Sequence, residues 1–234
     1  MKRALLVVVL MLAAVPAGLA HAQTEEPKYL RLPHRFQIFL EGGGSVPSAP
    51  SISKDMWNSA FNFGIGAGAS IFPWLEVNAG FNTMSFGLDH LKAKGIIGYQ
   101  GIQEVQGGAV STKVYYGSAR FIGVPKSRTN PYAEVEVGYF NTSAEDVVIE
   151  DAYGNGQSLI NTMESVSGMS VSGAAGIQHA LGDYWTAYAR YVYTANLNGD
   201  FSPGDLLQPI SGSREIPGGN QVVQSLSVGI MVRF

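Results

Sequence analysis

From Arg35 onward, apolar and polar residues alternate with a period of two, in segments broken by turn chemistry. That period places alternate side chains on opposite faces of an extended chain, so each segment predicts a β-strand. In Asn58–Ile71, Phe61, Phe63, Ile65, Ala67, Ala69 and Ile71 share one face, and Asn62, Gly64, Gly66, Gly68 and Ser70 the other. In the last segment, Gln224–Phe234, Leu226, Val228, Ile230, Val232 and Phe234 oppose Ser225, Ser227, Gly229, Met231 and Arg233. The remaining segments are Arg35–Gly43, Leu75–Phe86, Thr112–Ile122, Tyr132–Phe140, Ser167–Ala180 and Trp185–Thr194, for eight strands in all.

The connections carry as much information as the strands. Those at Phe72–Trp74, Gly123–Pro131 and Leu181–Tyr184 are short. Those at Gly44–Trp57, Gly87–Ser111, Asn141–Val166 and Ala195–Asn220 are long. Short and long alternate strictly, as in an antiparallel up-and-down meander with one plain end and one elaborated end. Transmembrane β-barrels have this layout, with short periplasmic turns and longer outer loops. The expected fold is therefore all-β, an eight-stranded antiparallel up-and-down transmembrane barrel over residues 35–234 with four long outer loops and three short periplasmic turns.

Alternation leaves open which face looks outward. A soluble ligand-carrying barrel turns its apolar face in and covers its exterior with charge; a membrane barrel inverts this. Composition separates the two. Only 14% of residues are charged, against about 25% in soluble globular domains. The polar face is mostly Gly, Ser, Asn, Thr and Gln, with isolated charges at Glu41, Glu76, Arg120, Glu134, Glu136, Arg190 and Arg233, and almost no lysine. Such a face suits a narrow lumen, because eight strands enclose a space just wide enough for side chains to fill. Inside it the four acids and three arginines would need one another, since an unpaired buried charge is costly; the alternative is that they are separate surface charges. Aromatic residues gather near both strand ends: Phe72, Trp74, Phe121, Trp185 and Phe234 at the short-turn end, and Phe61, Phe81, Tyr115, Tyr139 and Tyr193 toward the long loops. Two rings of this kind mark the water–lipid boundaries of membrane barrels.

Residues 1–22 fit a secretory signal peptide. Lys2 and Arg3 precede the apolar run Ala4–Val15, and Ala20-His21-Ala22 offers small residues at a cleavage site before Gln23. The run is shorter than the roughly 20 apolar residues a membrane-spanning helix needs. Residues 23–34 are polar, contain Pro27 and Pro33, and read as a flexible lead-in. A net charge of −3 gives no polyanion footprint, so nucleic acid is not an expected partner. The absence of cysteine rules out disulfides and thiolate metal sites.

The ending resembles the C-terminal sorting signal of bacterial outer-membrane proteins, carried here by Ser227, Gly229, Val232 and the terminal aromatic Phe234. Val232 stands where an aromatic is more usual. With the leader and the meander, the chain resembles the small outer-membrane β-barrel family, which includes the transmembrane domain of OmpA, OmpX and the opacity-type porins. The resemblance implies an outer-membrane location and contact with outer-membrane lipid and lipopolysaccharide. It also implies biogenesis through periplasmic chaperones and the barrel-assembly machinery. Unlike full-length OmpA, the chain is expected to carry no trailing peptidoglycan-binding domain.

Candidate chemistry is sparse. His34 lies in the lead-in, His90 follows Asp89 in a long loop, and His179 has the apolar parity at a strand end. The His-X-Ser pattern of barrel-shaped lipid A deacylases is missing, because Ala180 and Leu181 follow His179. Asp151, Gly154, Asn155 and Gly156 do not match a calcium-loop spacing. Gly64-X-Gly66-X-Gly68 lies within a strand, where lumen packing explains it better than nucleotide binding. No catalytic, cofactor or metal residues are assigned. The expectation is a non-enzymatic barrel with a structural or surface-interaction role, its loops facing an unidentified extracellular ligand. A lipid A- or phospholipid-modifying enzyme and a narrow passage for small or hydrophobic solutes are the alternatives.

Overall fold

The computed structural model describes residues 36–49, 56–92, 102–125, 127–151, 159–161, 165–197 and 220–234. The leader, the lead-in and His34 lie outside them, as do Gly154, Asn155 and Gly156.

Eleven strands form in chain order: β1 (Phe36–Ala49), β2 (Ala60–Phe72), β3 (Leu75–Phe86), β4 (Ile102–Gly107), β5 (Val110–Ile122), β6 (Thr129–Ala144), β7 (Val147–Asp151), β8 (Leu159–Asn161), β9 (Val166–Ala180), β10 (Trp185–Leu197) and β11 (Val222–Arg233). Eight of them close into a barrel in the order β1-β11-β10-β9-β6-β5-β3-β2, every pairing antiparallel. The closing seam pairs β1 with β11 from Gln37↔Arg233 to Ala49↔Val222. Phe36 and Phe234 exchange both backbone hydrogen bonds at its foot, at 3.2 and 3.0 Å. This is the expected up-and-down barrel.

The strands run longer than the periodicity indicated. β1 continues six residues past Gly43 to Ala49, with Ser45 buried inside and Val46 exposed outside. Beyond Ser45 it pairs only with β11, and an edge of that kind tolerates Pro47. Two of the expected long loops also contain strands, since β4, β7 and β8 form a separate three-stranded sheet. β4 and β7 prolong the β5–β6 ribbon. Gly107↔Val147 follows Val110↔Ala144 through the bonds Gly108 N→Asp146 O and Glu145 N→Ala109 O. Gly107 and Gly108 both take φ = 75°, a bend that residues with a Cβ rarely adopt. The ribbon thus leaves the barrel rim in unbroken register.

The apolar face points outward. Ile38, Leu40, Ile65, Val77, Val137, Val171, Ile177, Leu226, Val228 and Ile230 are all exposed. Phe36, Phe72, Trp74, Trp185 and Phe234 are exposed at the short-turn end, and Phe61, Tyr115 and Tyr139 toward the other. Trp74 stacks between Phe72 and Phe121, with centroids 5.4 and 6.4 Å apart.

Inside, the register sets five large rings opposite glycines. Phe39 faces Gly66, Tyr116 faces Gly80, Tyr132 faces Gly176, Phe140 faces Gly168 and Tyr188 faces Gly229. A Cβ on Gly80 would lie 2.6 Å from the Tyr116 ring, and one on Gly176 2.5 Å from that of Tyr132. A Cβ on Gly66 or Gly229 would collide with Phe39 or Tyr188 and with backbone as well. The far end of each ring therefore occupies the cross-strand space that its glycine leaves open, an arrangement known to shield strand glycines. Overpacking such a site costs about 1–3 kcal/mol. Gly229→Val should lower the unfolding free energy extrapolated from urea titrations by that amount. Combining it with Tyr188→Ala should return part of the loss, since neighbours that share one space are not additive.

Candidate functional site

The polar face builds a buried network. The register places Glu76, Arg120 and Glu134 side by side on β3, β5 and β6. Arg120 Nε and Nη2 both donate to Glu134 Oε2, at 3.0 and 2.9 Å, and Nη1 lies 3.7 Å from Glu76 Oε2. Arg190, reaching across from β10, ties three acids together. Its Nη2 meets Glu41 Oε1 at 2.5 Å, and its Nη1 meets Glu136 Oε1 at 2.5 Å and Glu134 Oε2 at 3.5 Å. Near the short-turn end, Arg233 Nη2 meets Glu76 Oε1 at 2.8 Å and donates to Gln178 Oε1 at 3.1 Å. All seven ionisable side chains expected in the lumen lie inside the barrel and are buried.

Neutral groups complete the network. Ser118 Oγ donates to Glu134 Oε1 at 2.5 Å, and Tyr188 donates to Glu41 Oε2 at 3.0 Å. Gln37 Nε2 donates to Asn78 Oδ1 at 2.6 Å and to Glu76 Oε2 at 3.3 Å. The Arg120 guanidinium stands 4.4 Å from the centroid of the Tyr132 ring and 5.5 Å from that of Tyr188, adding attraction to the ring faces. Periodicity put Tyr116 and Tyr188 on the inner face. It did not reveal their bonds, which depend on which strand lies across the lumen.

Above the charges the lining becomes hydroxyl and amide, with Ser45 bonded to Ser225 at 2.7 Å and Thr112 to Thr142 at 2.9 Å. At the long-loop end it becomes apolar. Met56, Trp57, Phe86, Leu88, Val110 and Val223 are buried there, and Trp57 Nε1 donates to Gly108 O at 3.1 Å. Salt-bridged side chains fill one half of the barrel and apolar side chains cap the other.

The chemistry this arrangement supports is cohesion. Ser118 sits on a carboxylate, but both are buried and Arg120 already holds that carboxylate. Among the described residues, no group of three or more His, Asp or Glu could hold a metal ion. Asp89 caps the helical turn at 90–92, accepting from the Lys92 backbone at 3.1 Å and pairing with Lys92 Nζ at 3.2 Å. That backbone bond, the largest cause, holds its carboxyl below the usual range. The Asp89–His90 pair is thus a helix cap. His179 lies on the outer face, its Nδ1 2.7 Å from Thr129 Oγ1.

In the terminal segment, Ser227 points inward and donates to Asn62 Oδ1 at 3.1 Å, and Gly229 makes room for Tyr188. Val232 pairs with Ile38, and Phe234 is exposed at the foot of the seam.

Removing one partner of a buried ion pair typically costs about 3–5 kcal/mol. Arg190→Met, which leaves Glu41 on β1 and Glu136 on β6 without their arginine, should lower stability in urea titrations by at least that range. Adding Glu136→Gln should restore a measurable part.

No family model matches the chain, and no curated protein matches it in sequence. Solved structures match in shape. Neisserial surface protein A, NspA, is 14% identical with a TM-score of 0.53, covering 85% of this chain and 97% of its own. The outer membrane protein OprG from Pseudomonas aeruginosa is 12% identical with a TM-score of 0.52, covering 88% and 99%. The outer membrane protease OmpT from Escherichia coli, 10% identical and covering 91% of this chain and 100% of its own, reaches a TM-score of only 0.36, too low to bear on activity. The chain has the closed eight-stranded antiparallel fold of the small outer-membrane β-barrels.

Proposed function

We propose that the protein is exported and resides in the bacterial outer membrane as a rigid, non-enzymatic barrel whose outer loops and β4–β7–β8 arm meet extracellular partners. The observation that carries this reading is the exposed apolar belt on a closed barrel whose seven lumen charges are buried. Monomeric soluble proteins rarely expose apolar patches beyond a few hundred Å². In hydrocarbon the same belt is the solvated surface, and closure leaves no unpaired strand edge. The filled lumen and apolar cap argue against a wide pore. The placement of Asp89, His90 and His179 argues against acyl-transfer chemistry, which needs a nucleophile within reach of its base.

In this reading residues 1–22 are removed on export. Ser227, Gly229, Val232 and Phe234 serve the assembly machinery and its chaperones, and outer-membrane lipid and lipopolysaccharide surround the belt. Cell fractionation with heat-modifiable gel migration tests location and architecture together. The protein should partition with outer membranes, migrate anomalously until boiled, and begin at Gln23. Planar bilayers should show currents near background; large, stable conductance steps would overturn the filled lumen. Lipid A and phospholipid mass spectra should be identical with and without the protein, and an acyl change abolished by His90→Ala or His179→Ala would establish an enzyme instead.

A further inference from the structure

The outer wall is not uniformly convex. A trough of about 710 Å³ runs across β9, β10, β11 and β1. Its floor is low because Ala187, Ala189 and Gly42 stand where neighbouring strands carry Ile177, Ile230 and Leu40. At its periplasmic end the lining changes from apolar to polar at His179 and Thr129. The Thr129 hydroxyl engages His179 Nδ1 at 2.7 Å, leaving Nε2 as the ring's remaining polar atom. Beside them Arg128 donates through Nε to Ala180 O at 2.8 Å. Its exposed guanidinium is thereby fixed at the rim, with both terminal nitrogens lacking a protein acceptor among the described residues. Trp185, exposed at the same end of β10, marks the level of the water–lipid boundary.

We propose that this trough is a binding site for one inner-leaflet phospholipid, its phosphodiester held by Arg128, His179 and Thr129 and an acyl chain lying over Ala187, Ala189 and Gly42. The inference rests on the membrane reading above. Charge complementarity selects the occupant. A guanidinium presents paired donors that match phosphate oxygens, and the imidazole and hydroxyl beside it add further hydrogen-bonding partners. The apolar floor directly above excludes a purely polar anion as the better fit. A lipid without phosphate would fill the floor and leave the guanidinium unpaired at the interface.

The test is native mass spectrometry of the folded barrel released from detergent. The probes are phosphatidylglycerol, diacylglycerol with the same chains, and inorganic phosphate, with heat-modifiable migration checked on every sample. One phosphatidylglycerol should be retained in preference to diacylglycerol. Retention should fall about ten-fold, the factor that loss of a charge-assisted hydrogen bond produces, in the Arg128→Gln/His179→Ala double variant. It should fall comparably in Ala189→Phe, which fills the floor from the lipid side without touching the lumen. Equal retention of diacylglycerol, unchanged retention in either variant, or phosphate binding as tightly as the lipid would overturn the site while leaving the membrane reading intact. A chain that neither inserts nor shows heat-modifiable migration would overturn both.

Discussion

Everything in this molecule depends on the seam between β1 and β11. A backbone amide or carbonyl left unpaired in hydrocarbon costs several kcal/mol, so an open sheet cannot remain in a bilayer. In the proposed membrane setting the first and last barrel strands must therefore meet, and they pair without a register shift from Gln37↔Arg233 to Pro47↔Val223. Once that pairing is fixed, the circumference is fixed, and the lumen is committed to a width that side chains must fill. The inward glycines, the tyrosines lying across them and the salt-bridged core are all consequences of that width.

The interior resolves two demands in different ways. Rings need space, and the cross-strand register supplies it by setting Gly66, Gly80, Gly176 and Gly229 against Phe39, Tyr116, Tyr132 and Tyr188. Charges need partners, and here geometry across the lumen matters more than adjacency along the sheet. Arg190 meets Glu41 and Glu136, on strands that do not neighbour β10. A network anchored on several strands resists shear of the barrel in a way that local pairs along one ribbon cannot. It does so with its own ionised groups buried inside the wall.

Much of this was legible in the sequence, and the reason is the period of two. In Gln224–Phe234 or Asn58–Ile71 each residue's parity decides its side of the wall, and a scarcity of lysine on the polar parity indicates which side is enclosed. The pairing of particular charges was not legible, because it is set by strand stagger and by which strand lies opposite. The Gly–ring pairs were hidden for the same reason, since Gly229 and Tyr188 are neighbours only once β10 and β11 are aligned. The strands β4, β7 and β8 were missed because Gly107-Gly108 reads as ordinary loop chemistry, whereas in the folded chain it bends a ribbon that continues. Short strands without clean alternation leave no periodic trace.

That bent ribbon has a mechanical consequence. Because β4 and β7 keep the β5–β6 register through the two glycines, a pull along the arm from its tip loads the rungs below it in parallel rather than unzipping them singly. Force is shared among many bonds and reaches the wall as tension along the strands. The glycine bend, having few side chains to disturb, is the natural joint where such a load would be taken up first.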